Sequence, residues 1–236
     1  MTPQEVAAAI EAQLAAAADP QRAEKEKAYL KSDLMHLGVT VPQVRKIARA
    51  HRPTGHDELV DVVEALWQRP VHECRAAAAE LLEAGVDQLS AGDVALLERL
   101  LRQSRTWALV DNLAASVVGP LAERADLADV LDRWARDDDV WLRRSALLSQ
   151  LLPLRRGDGD PARFFRYADA LLDDPSFWIR KAIGWVLRDT ARRRPELVAQ
   201  WLLPRAGRAS GLTVREAVKH LPPELRDAVL GARERR

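Results

Sequence analysis

Apolar residues along this chain recur mainly at intervals of three and four positions, with polar residues between them. That spacing places the apolar side chains on one face of an α-helix and predicts amphipathic helices. Clear examples are VDVVEALWQ, VALLERLLRQ, LADVLDRWAR, RYADALLDD and ELVAQWLL. Breakers such as Gly38, Gly119-Pro120 and the GDGDP stretch at 157–161 separate the segments. The pattern therefore predicts about twelve to fourteen helices joined by tight turns, and no sheet.

A six-residue frame recurs along these segments, roughly every 35 residues. Its copies are QVRKIA at 43–48, HECRAA at 72–77, WALVDN at 107–112, WLRRSA at 141–146, WIRKAI at 178–183 and TVREAV at 213–218. Such a period is typical of stacked helix pairs. We therefore expect an all-α solenoid of antiparallel helix pairs, forming a single domain over residues 1–236 with one groove open to a long ligand.

Asp111 departs from this repeat frame. The fifth frame position is otherwise small or apolar, as it holds Ile47, Ala76, Ser145, Ala182 and Ala217. A carboxylate at a position suited to helix packing indicates a functional site. Asp111 could instead be the N-cap of a helix that starts at Asn112. The apolar runs on both sides, WALV and LAASVV, favour a helix that continues through Asp111.

Aromatic and charged residues line the same helix faces in three copies. Trp107 and Asp111 are four residues apart and so share one face. In the fifth copy one stripe carries Trp178, Lys181, Trp185 and Arg188. The equivalent stripe of the fourth copy carries Trp141 and Arg144. Because stacked repeats present equivalent faces side by side, we expect these stripes to converge on one groove.

Each of these residues also has a purely structural interpretation. A tryptophan at helical spacing is usually part of the core, and this interpretation suits Trp141 and Trp178. For Trp107 the two interpretations stay open, because Asp111 lies one turn away. Trp185 is flanked by cations on its stripe, which favours function. The arginines on the stripes are either solvated or ligands of phosphate groups.

Charge is unevenly distributed, although the formal net charge is only +1. Residues 1–100 contain 11 Lys and Arg against 16 Asp and Glu, whereas residues 101–236 contain 25 against 19. This asymmetry suggests an anionic partner for the second half. The one cysteine, Cys74, lies in an alanine-rich segment and is expected to fill core space. It permits no intrachain disulfide, which suits a reducing compartment.

Several kinds of function lack their sequence signatures. The first residues contain Glu5 and Glu11 and have no basic flank, so they predict an amphipathic helix rather than a signal peptide. No apolar run reaches the length of a membrane span. The five histidines show no metal-binding spacing, and no phosphate-binding glycine motif is present. We therefore expect a cytoplasmic monomer with no metal site and no nucleotide or other cofactor.

The strings WALVD, VWLRRSA and FWIRKAIGWVLRD resemble the DNA alkylation repair glycosylases of the HEAT-like, AlkD type. AYLKSDLMHLGVTVPQVRKI and VREAVKHL resemble that family's terminal segments in the right order. The resemblance implies a HEAT-like solenoid with a concave DNA-binding groove. It also implies that Asp111 is catalytic, that Trp107 and Trp185 are the groove tryptophans, and that Arg144 and Arg188 contact DNA. Family members often have a second Trp where this chain has Thr106.

The chemistry of these residues fits that function. A purine alkylated at N3 or N7 is already cationic, so its removal requires stabilisation of a cationic sugar rather than a strong acid. Asp111 can supply that stabilisation, the tryptophans can hold a cation, and Lys181 can join the arginines at phosphates. The sequence thus predicts a monofunctional glycosylase that excises 3-methyladenine and 7-methylguanine from duplex DNA in base excision repair. The alternatives are a non-catalytic HEAT-repeat protein that binds DNA structure, and a protein-binding scaffold.

Overall fold

A computed structural model describes residues 1–234. Over that range the chain is helical, and its β-type pairing is limited to one isolated bridge between Met35 and Val71. The all-α fold class is therefore confirmed. Sixteen α-helices lie within the described residues, more than the sequence predicted, because several helical runs are divided into segments of six or seven residues.

The chain divides into two compact units, of which the first is Met1–Val117 and the second begins at Val118. The single domain expected from the sequence stays a prediction. The α-helices of the first unit are α1 (Pro3–Ala16), α2 (Pro20–Leu30), α3 (Val41–Ala50), α4 (His56–Trp67), α5 (His72–Ala84), α6 (Val94–Ser104) and α7 (Trp107–Asn112). Two 3-10 turns, Val86–Gln88 and Ala91–Asp93, connect α5 to α6.

A π-helical segment, Leu113–Val118, follows α7 directly and leads into the second unit. The α-helices of that unit are α8 (Gly119–Arg124), α9 (Ala128–Trp134), α10 (Val140–Leu148), α11 (Leu151–Arg156), α12 (Pro161–Ala170), α13 (Phe177–Ala191), α14 (Pro195–Leu202), α15 (Gly211–Ala217) and α16 (Pro223–Glu234). Two 3-10 turns, Leu203–Arg205 and Val218–His220, follow α14 and α15.

The six copies of the repeat frame all lie on helices, and successive copies pack together within each unit. In the first unit α3 contacts α5, and α5 contacts α7. In the second unit α10 contacts α13, and α13 contacts α15. The remaining helices pack against this series, as α4 does against α5 and α14 against α13. The repeat predicted from the sequence is thus the repeat of the structure.

Polar caps fix where the frame helices of the second unit begin. The Asp139 carboxylate accepts a hydrogen bond from the backbone N–H of Trp141 at 2.8 Å, and the Ser176 hydroxyl accepts one from Trp178 at 3.2 Å. Each cap satisfies a backbone donor at the helix start that has no partner within the helix. The caps therefore place both tryptophans in the first turn of their helices.

The core consists of the apolar faces predicted from periodicity, and Cys74 belongs to it. The Cys74 side chain is fully buried, and burial raises the pKa of its thiol to about 12. A thiol of that kind is protonated and unreactive at neutral pH, so the prediction that it fills core space is confirmed. Among residues 1–234, no helix combines the length and apolar character needed to cross a bilayer.

Candidate functional site

Helix α7 positions Trp107 and Asp111. Thr106 precedes the helix in an extended conformation, and its hydroxyl accepts a hydrogen bond from the Ala108 backbone N–H at 3.5 Å. Leu109 and Val110 are fully buried and anchor the helix in the core. Trp107 and Asp111 are one turn apart on the opposite face, and both are half-buried. The tryptophan and the carboxylate are therefore held on the same side of a short, well-anchored helix.

Asp111 lies inside a helical run, not at its start. The N-cap of α7 is Thr106, and the chain stays helical from Trp107 through the π-helical segment to Arg124. The prediction of a helix that continues through Asp111 is confirmed, and the N-cap alternative is wrong. The widened π-helical turn begins two residues after Asp111. Single π turns of this kind occur often at functional sites.

Tyr29 is a neighbour of Trp107 that sequence reasoning missed. It lies near the end of α2, is 74% exposed, and meets the Trp107 ring edge to face with 6.0 Å between ring centroids. An exposed aromatic residue in a strongly polar helix was the available signal. Trp107 is thus not a core residue but half of an aromatic pair at the surface of the first unit. Such a pair offers both a ring face and a hydroxyl to a ligand.

In the second unit, Lys181 and Arg188 converge on a single carboxylate. Glu216 of α15 accepts a bond from the Lys181 ammonium at 2.7 Å and from the Arg188 guanidinium at 2.6 Å. The Lys219 ammonium is also within 2.8 Å of it. We call Lys181, Arg188, Lys219 and Glu216 the Glu216 cluster. Arg188 also lies 3.3 Å from the Asp189 carboxylate, which pairs with Arg155 as well. Four cations thus face two carboxylates, so positive charge is in surplus.

A glycine makes the Glu216 cluster sterically possible. Gly184 lies on the face of α13 that packs on α15, between Lys181 and Arg188 in sequence. A β-carbon at Gly184 would come within 2.6 Å of the Glu216 β-carbon and 2.9 Å of the Thr213 carbonyl oxygen. Only a residue without a side chain allows α15 to approach this closely. That approach brings the Glu216 carboxylate within reach of both cations on α13.

Electrostatics favour the ionised form of Glu216. Burial by itself opposes its ionisation, but the hydrogen bonds and charges of Lys181 and Lys219 outweigh that cost and lower the pKa of Glu216 to about 2. His220 lies close to the same cations. Burial, followed by the positive charges of Arg192 and Arg188, lowers the pKa of His220. Nearby positive charges thus favour the ionised form of Glu216 and the neutral form of His220, as expected in a region of positive potential.

We expect Glu216 to stabilise the fold at neutral pH and to lose that effect in acid. Its pKa is about 2 when folded against a usual value of 4.5, so its contribution is complete above pH 4.5 and disappears as the pH falls towards 2. Glu216→Gln should therefore lower the free energy of unfolding at pH 6, and lower it by a much smaller amount near pH 2.5, where most of the contribution of the carboxylate has been lost. Denaturant titrations of both proteins at each pH measure this. An equal difference at the two pH values would contradict the assignment.

The other tryptophans of the stripes differ from one another. Trp185 is half-buried on α13, and within residues 1–234 its indole has no hydrogen-bonding or ring-stacking partner. Trp141 and Trp178 instead pair with each other, with 5.6 Å between ring centroids. Both are half-buried, so they are packed against each other rather than fully enclosed in the core. Trp185 therefore differs from Trp141 and Trp178 in that its ring is not stacked on another aromatic ring within residues 1–234.

Arg144 is buried, so the solvated interpretation is wrong for Arg144, whereas Arg188 is partly exposed and paired with carboxylates. Arg144 is only 2% exposed, and its guanidinium donates to the Trp178 backbone carbonyl at 2.5 Å. It also lies 5.8 Å from the centre of the Trp178 ring. Arg188 is held by the Glu216 cluster. Structural contacts thus fix both side chains, and contact of either with DNA stays a prediction.

Comparisons with known proteins agree with this architecture. A profile of the DNA alkylation repair enzyme family matches residues 10–221, which is most of the chain. This chain belongs to the DNA alkylation repair enzyme family. The family resemblance seen in its sequence motifs is therefore confirmed. A comparison with curated protein sequences finds no match.

Solved structures share the helical-repeat fold of this chain. A predicted DNA alkylation repair enzyme from Enterococcus faecalis is 23% identical, with a TM-score of 0.74 over 87% of this chain and 97% of that one. AlkD2 from Streptococcus mutans is 17% identical, with a TM-score of 0.62 over 84% and 98% of the two chains. The protein smu.31 from Streptococcus mutans UA159 is 16% identical, with a TM-score of 0.61 over 86% and 98%. At these identities the likeness shows the fold alone.

One cluster in this family member has the residue types of a metal site. Ligand atoms of Glu26, His36 and Glu73 lie within 4.8 Å of one another, and among residues 1–234 both His36 ring nitrogens lack a hydrogen-bond partner. Glu73, however, already accepts backbone N–H bonds from residues 37–39, the shortest 2.6 Å from Gly38. These bonds fix the turn between α2 and α3. The absence of a metal requirement stays a prediction.

Proposed function

We propose that this DNA alkylation repair enzyme is a monofunctional glycosylase. It hydrolyses the N-glycosidic bond of positively charged N3- or N7-alkylated purines, such as 3-methyladenine and 7-methylguanine, in duplex DNA. The observation that carries this proposal is the placement of Asp111 one turn from Trp107 on the outward face of α7. Membership of the repair family supports DNA as the substrate.

Asp111 provides the catalytic charge in this mechanism. As the bond to an alkylated purine breaks, positive charge develops on the deoxyribose while the departing base becomes neutral. A carboxylate beside the sugar lowers the energy of that transition state, because the attraction is greatest when the sugar charge is largest. The same carboxylate can orient the attacking water and take up its proton. The half-buried position of Asp111 strengthens this attraction relative to open solvent.

Trp107 and Trp185 bind the cationic nucleotide in this proposal. Aromatic faces attract cations by roughly 0.5 to 2 kcal/mol, depending on how far the pair is removed from water. Trp107 is steadied by its edge contact with Tyr29, and the Trp185 ring has no stacking partner of its own within residues 1–234.

The Glu216 cluster suits phosphate groups. Lys181 is held in place by Glu216, and Arg188 by Glu216 and Asp189. With Lys219 and Arg155 also present, these carboxylates neutralise only part of the positive charge. A cation fixed in this way loses little conformational freedom when it meets a phosphate, so more of the attraction appears as affinity. Arg144 completes the DNA-binding set in the proposal, with its side chain fixed by the Trp178 carbonyl.

We expect Arg188→Ala to weaken DNA binding similarly for all sequences. It should also flatten the plot of log affinity against log salt concentration by about one unit, as expected for one lost phosphate contact. Arg144→Ala should chiefly lower stability, because it removes a buried charged hydrogen bond, and should flatten the plot less than Arg188→Ala, because the 2% exposed side chain has little surface for a phosphate. Titrations of labelled duplex at several salt concentrations measure both effects.

Arg208→Ala is the matched control, since Arg208 is exposed and pairs with Asp173. Slopes equal to that of the control would exclude phosphate contacts.

Two features separate this proposal from its alternatives. A non-catalytic DNA-binding protein has no need of a carboxylate at Asp111, where the other frame copies carry small or apolar residues. A protein-binding scaffold has no need of tryptophans and clustered cations on its helix faces. The proposal also requires no metal or cofactor and expects a cytoplasmic monomer.

Release of free base from methylated duplex DNA tests the proposal. We expect the purified protein to liberate 7-methylguanine and 3-methyladenine and to leave abasic sites, without strand cleavage. Chromatography of the released bases measures the reaction directly, and heating with alkali reveals the abasic sites. A protein that binds the duplex but releases no base would be the non-catalytic alternative.

A further inference from the structure

A cavity rich in cations lies in the first unit, beside the start of α7. Its volume is about 530 Å³, and it is formed by the ends of α2, α4 and α6 together with part of α5. Five cations line it, namely Lys31, Arg75, Arg99, Arg102 and Arg105. Only two carboxylates line it, Asp33 and Glu64. The overall charge of the first half of the chain is negative, so this concentration of positive charge is local.

Arg75 is a cation without a counter-ion in this cavity. Its guanidinium donates to the Gln103 backbone carbonyl at 3.0 Å and lies 5.3 Å from the centre of the Trp67 ring. Its Nε is buried and, among residues 1–234, has no hydrogen-bond partner. No carboxylate within that range pairs with it. Burial, followed by the nearby charge of Arg105, lowers the pKa of Arg75. A bound anion would remove this repulsion and satisfy the open donor.

Two backbone conformations also mark the cavity. Lys31 and Arg105 are the two non-glycine residues with positive φ among the described residues, both at 50°. Each ends a helix that leads to the cavity, Lys31 for α2 and Arg105 for α6. Glycine or asparagine usually occupies such a position, because other side chains are disfavoured there by about 1 kcal/mol. Attraction to the helix dipole suits a cation here but does not require the left-handed conformation.

The cavity adjoins the aromatic pair of the candidate site. Thr106, which lines it, immediately precedes Trp107. Lys31 is two residues beyond Tyr29, the residue that meets Trp107 edge to face. A nucleotide held against Trp107 would therefore carry its own backbone towards these cations. The DNA strand has one phosphate for each 3.4 Å of axial rise, so a neighbouring phosphate lies within reach.

We propose that this cavity binds a DNA backbone phosphate next to the target nucleotide, through Arg75 and Lys31 with Arg105 at the rim. The inference rests on the proposed function, because it takes Trp107 to mark the place of that nucleotide. Arg99 and Arg102 shape the wall and are already paired with Glu64 and Glu98. Arg105 lies 3.8 Å from the Asp33 carboxylate, and both side chains are exposed to solvent. The site fixes the register of the damaged strand and leaves the choice of base to the carboxylate and the aromatic rings.

A scan of neutral linkages tests this site. The full chain is titrated with duplexes that contain a tetrahydrofuran abasic analogue, each with one phosphate of the damaged strand replaced by a neutral methylphosphonate. For the wild type we expect one or two linkages beside the analogue to weaken binding about fivefold when neutralised. Arg75→Gln and Lys31→Asn should weaken binding to the unmodified backbone and abolish the response to those linkages. Asparagine is chosen because it tolerates the left-handed conformation.

The controls distinguish a phosphate site from a structural role. Arg52→Gln removes an exposed cation of the same unit, paired with Asp87, and should keep the wild-type linkage profile. If Arg75→Gln fails to fold, Lys31→Asn decides, since Lys31 is exposed and has no ion pair within residues 1–234. Variants that keep the full wild-type profile would overturn the inference. A flat wild-type profile would also overturn it. Competition by inorganic phosphate at constant ionic strength would then indicate a site for small anions instead of DNA.

Base release by the wild type separates this inference from the proposed function. If the protein excises 7-methylguanine while the variants keep the wild-type linkage profile, the inference is wrong and the proposed function stands. If the predicted linkage profile is found but no base is released, the phosphate site stands and the glycosylase proposal is wrong. Failure of the wild type to bind duplex DNA at low salt would overturn both.

Discussion

Replacement of Asp111 by asparagine should reduce base excision by about two orders of magnitude or more, as expected when an electrostatic stabiliser of the transition state is removed. Asparagine keeps the shape of the side chain but carries no charge to offset that of the sugar. The helix should persist, because Leu109 and Val110 continue to anchor α7 and Thr106 continues to cap it. Binding to unmodified duplex should change little.

Single-turnover release of 7-methylguanine at saturating protein measures the chemical step apart from binding. Thermal unfolding and duplex titration of the same preparation show whether the variant is folded and binds. Glu11→Gln is a suitable control, because Glu11 is a partly buried carboxylate of α1 that pairs with Arg69 and lies on a different helix from Asp111. If Asp111→Asn unfolds while its folded fraction excises at the normal rate, Asp111 is a structural residue and not the catalytic one.

Charged and neutral lesions should be distinguished by a large factor. We expect excision of 7-methylguanine and 3-methyladenine, and little or none of uracil or 1,N6-ethenoadenine in matched duplexes. The reason is that the proposed mechanism uses no general acid at the departing base. A neutral base must be protonated as it leaves, whereas an alkylated purine already carries the charge. His220 is the histidine close to the Glu216 cluster, and its lowered pKa keeps it neutral at pH 7 and a poor acid.

Trp185→Ala tests the same argument from the side of the protein. Loss of one cation–π contact should lower excision by about 2- to 30-fold, while binding to unmodified DNA should fall less, because the contact exists only when the nucleotide is charged. Parallel measurements of excision rate and duplex affinity make this comparison. Trp201→Phe serves as a control, since Trp201 is buried and stacks on Phe165. Efficient uracil release, or loss of activity with a chelator, would show that an acid or a metal has been missed.

Much of the fold could be predicted because its signals are local. Apolar residues at intervals of three and four define each helix, and caps such as Ser176 and Asp139 define where helices begin. The runs WALV and LAASVV correctly predicted that the helix continues through Asp111. They did not predict the π-helical turn that follows, because its apolar pattern differs too little from that of an α-helix. The sequence also predicted too few helices, because an apolar pattern does not show where a long helical run divides into shorter segments.

The site was less predictable, because its contacts join distant residues. The sequence placed Lys181, Trp185 and Arg188 on one helix face, but gave no sign that Glu216 binds the two cations. Tyr29 lies outside the repeat frame, so the repeat could not connect it with Trp107. Arg144 was on the expected stripe, yet its burial follows from packing against Trp178.

The sequence by itself determined that this protein is a helical repeat and that Asp111 departs from the repeat frame. Both facts follow from side-chain spacing within one or two helical turns, where backbone geometry fixes the neighbours. Only the tertiary structure decided which cations are neutralised and which are left with surplus charge. Charge neutralisation depends on contacts between helices that are distant in sequence. Arg188 and Glu216 are 28 residues apart, and the hydrogen-bonded Trp67 and Gln103 are 36 residues apart. Electrostatic attraction falls with distance and is stronger where the charges are buried, so the close approach at Gly184 determines it, not the order of residues.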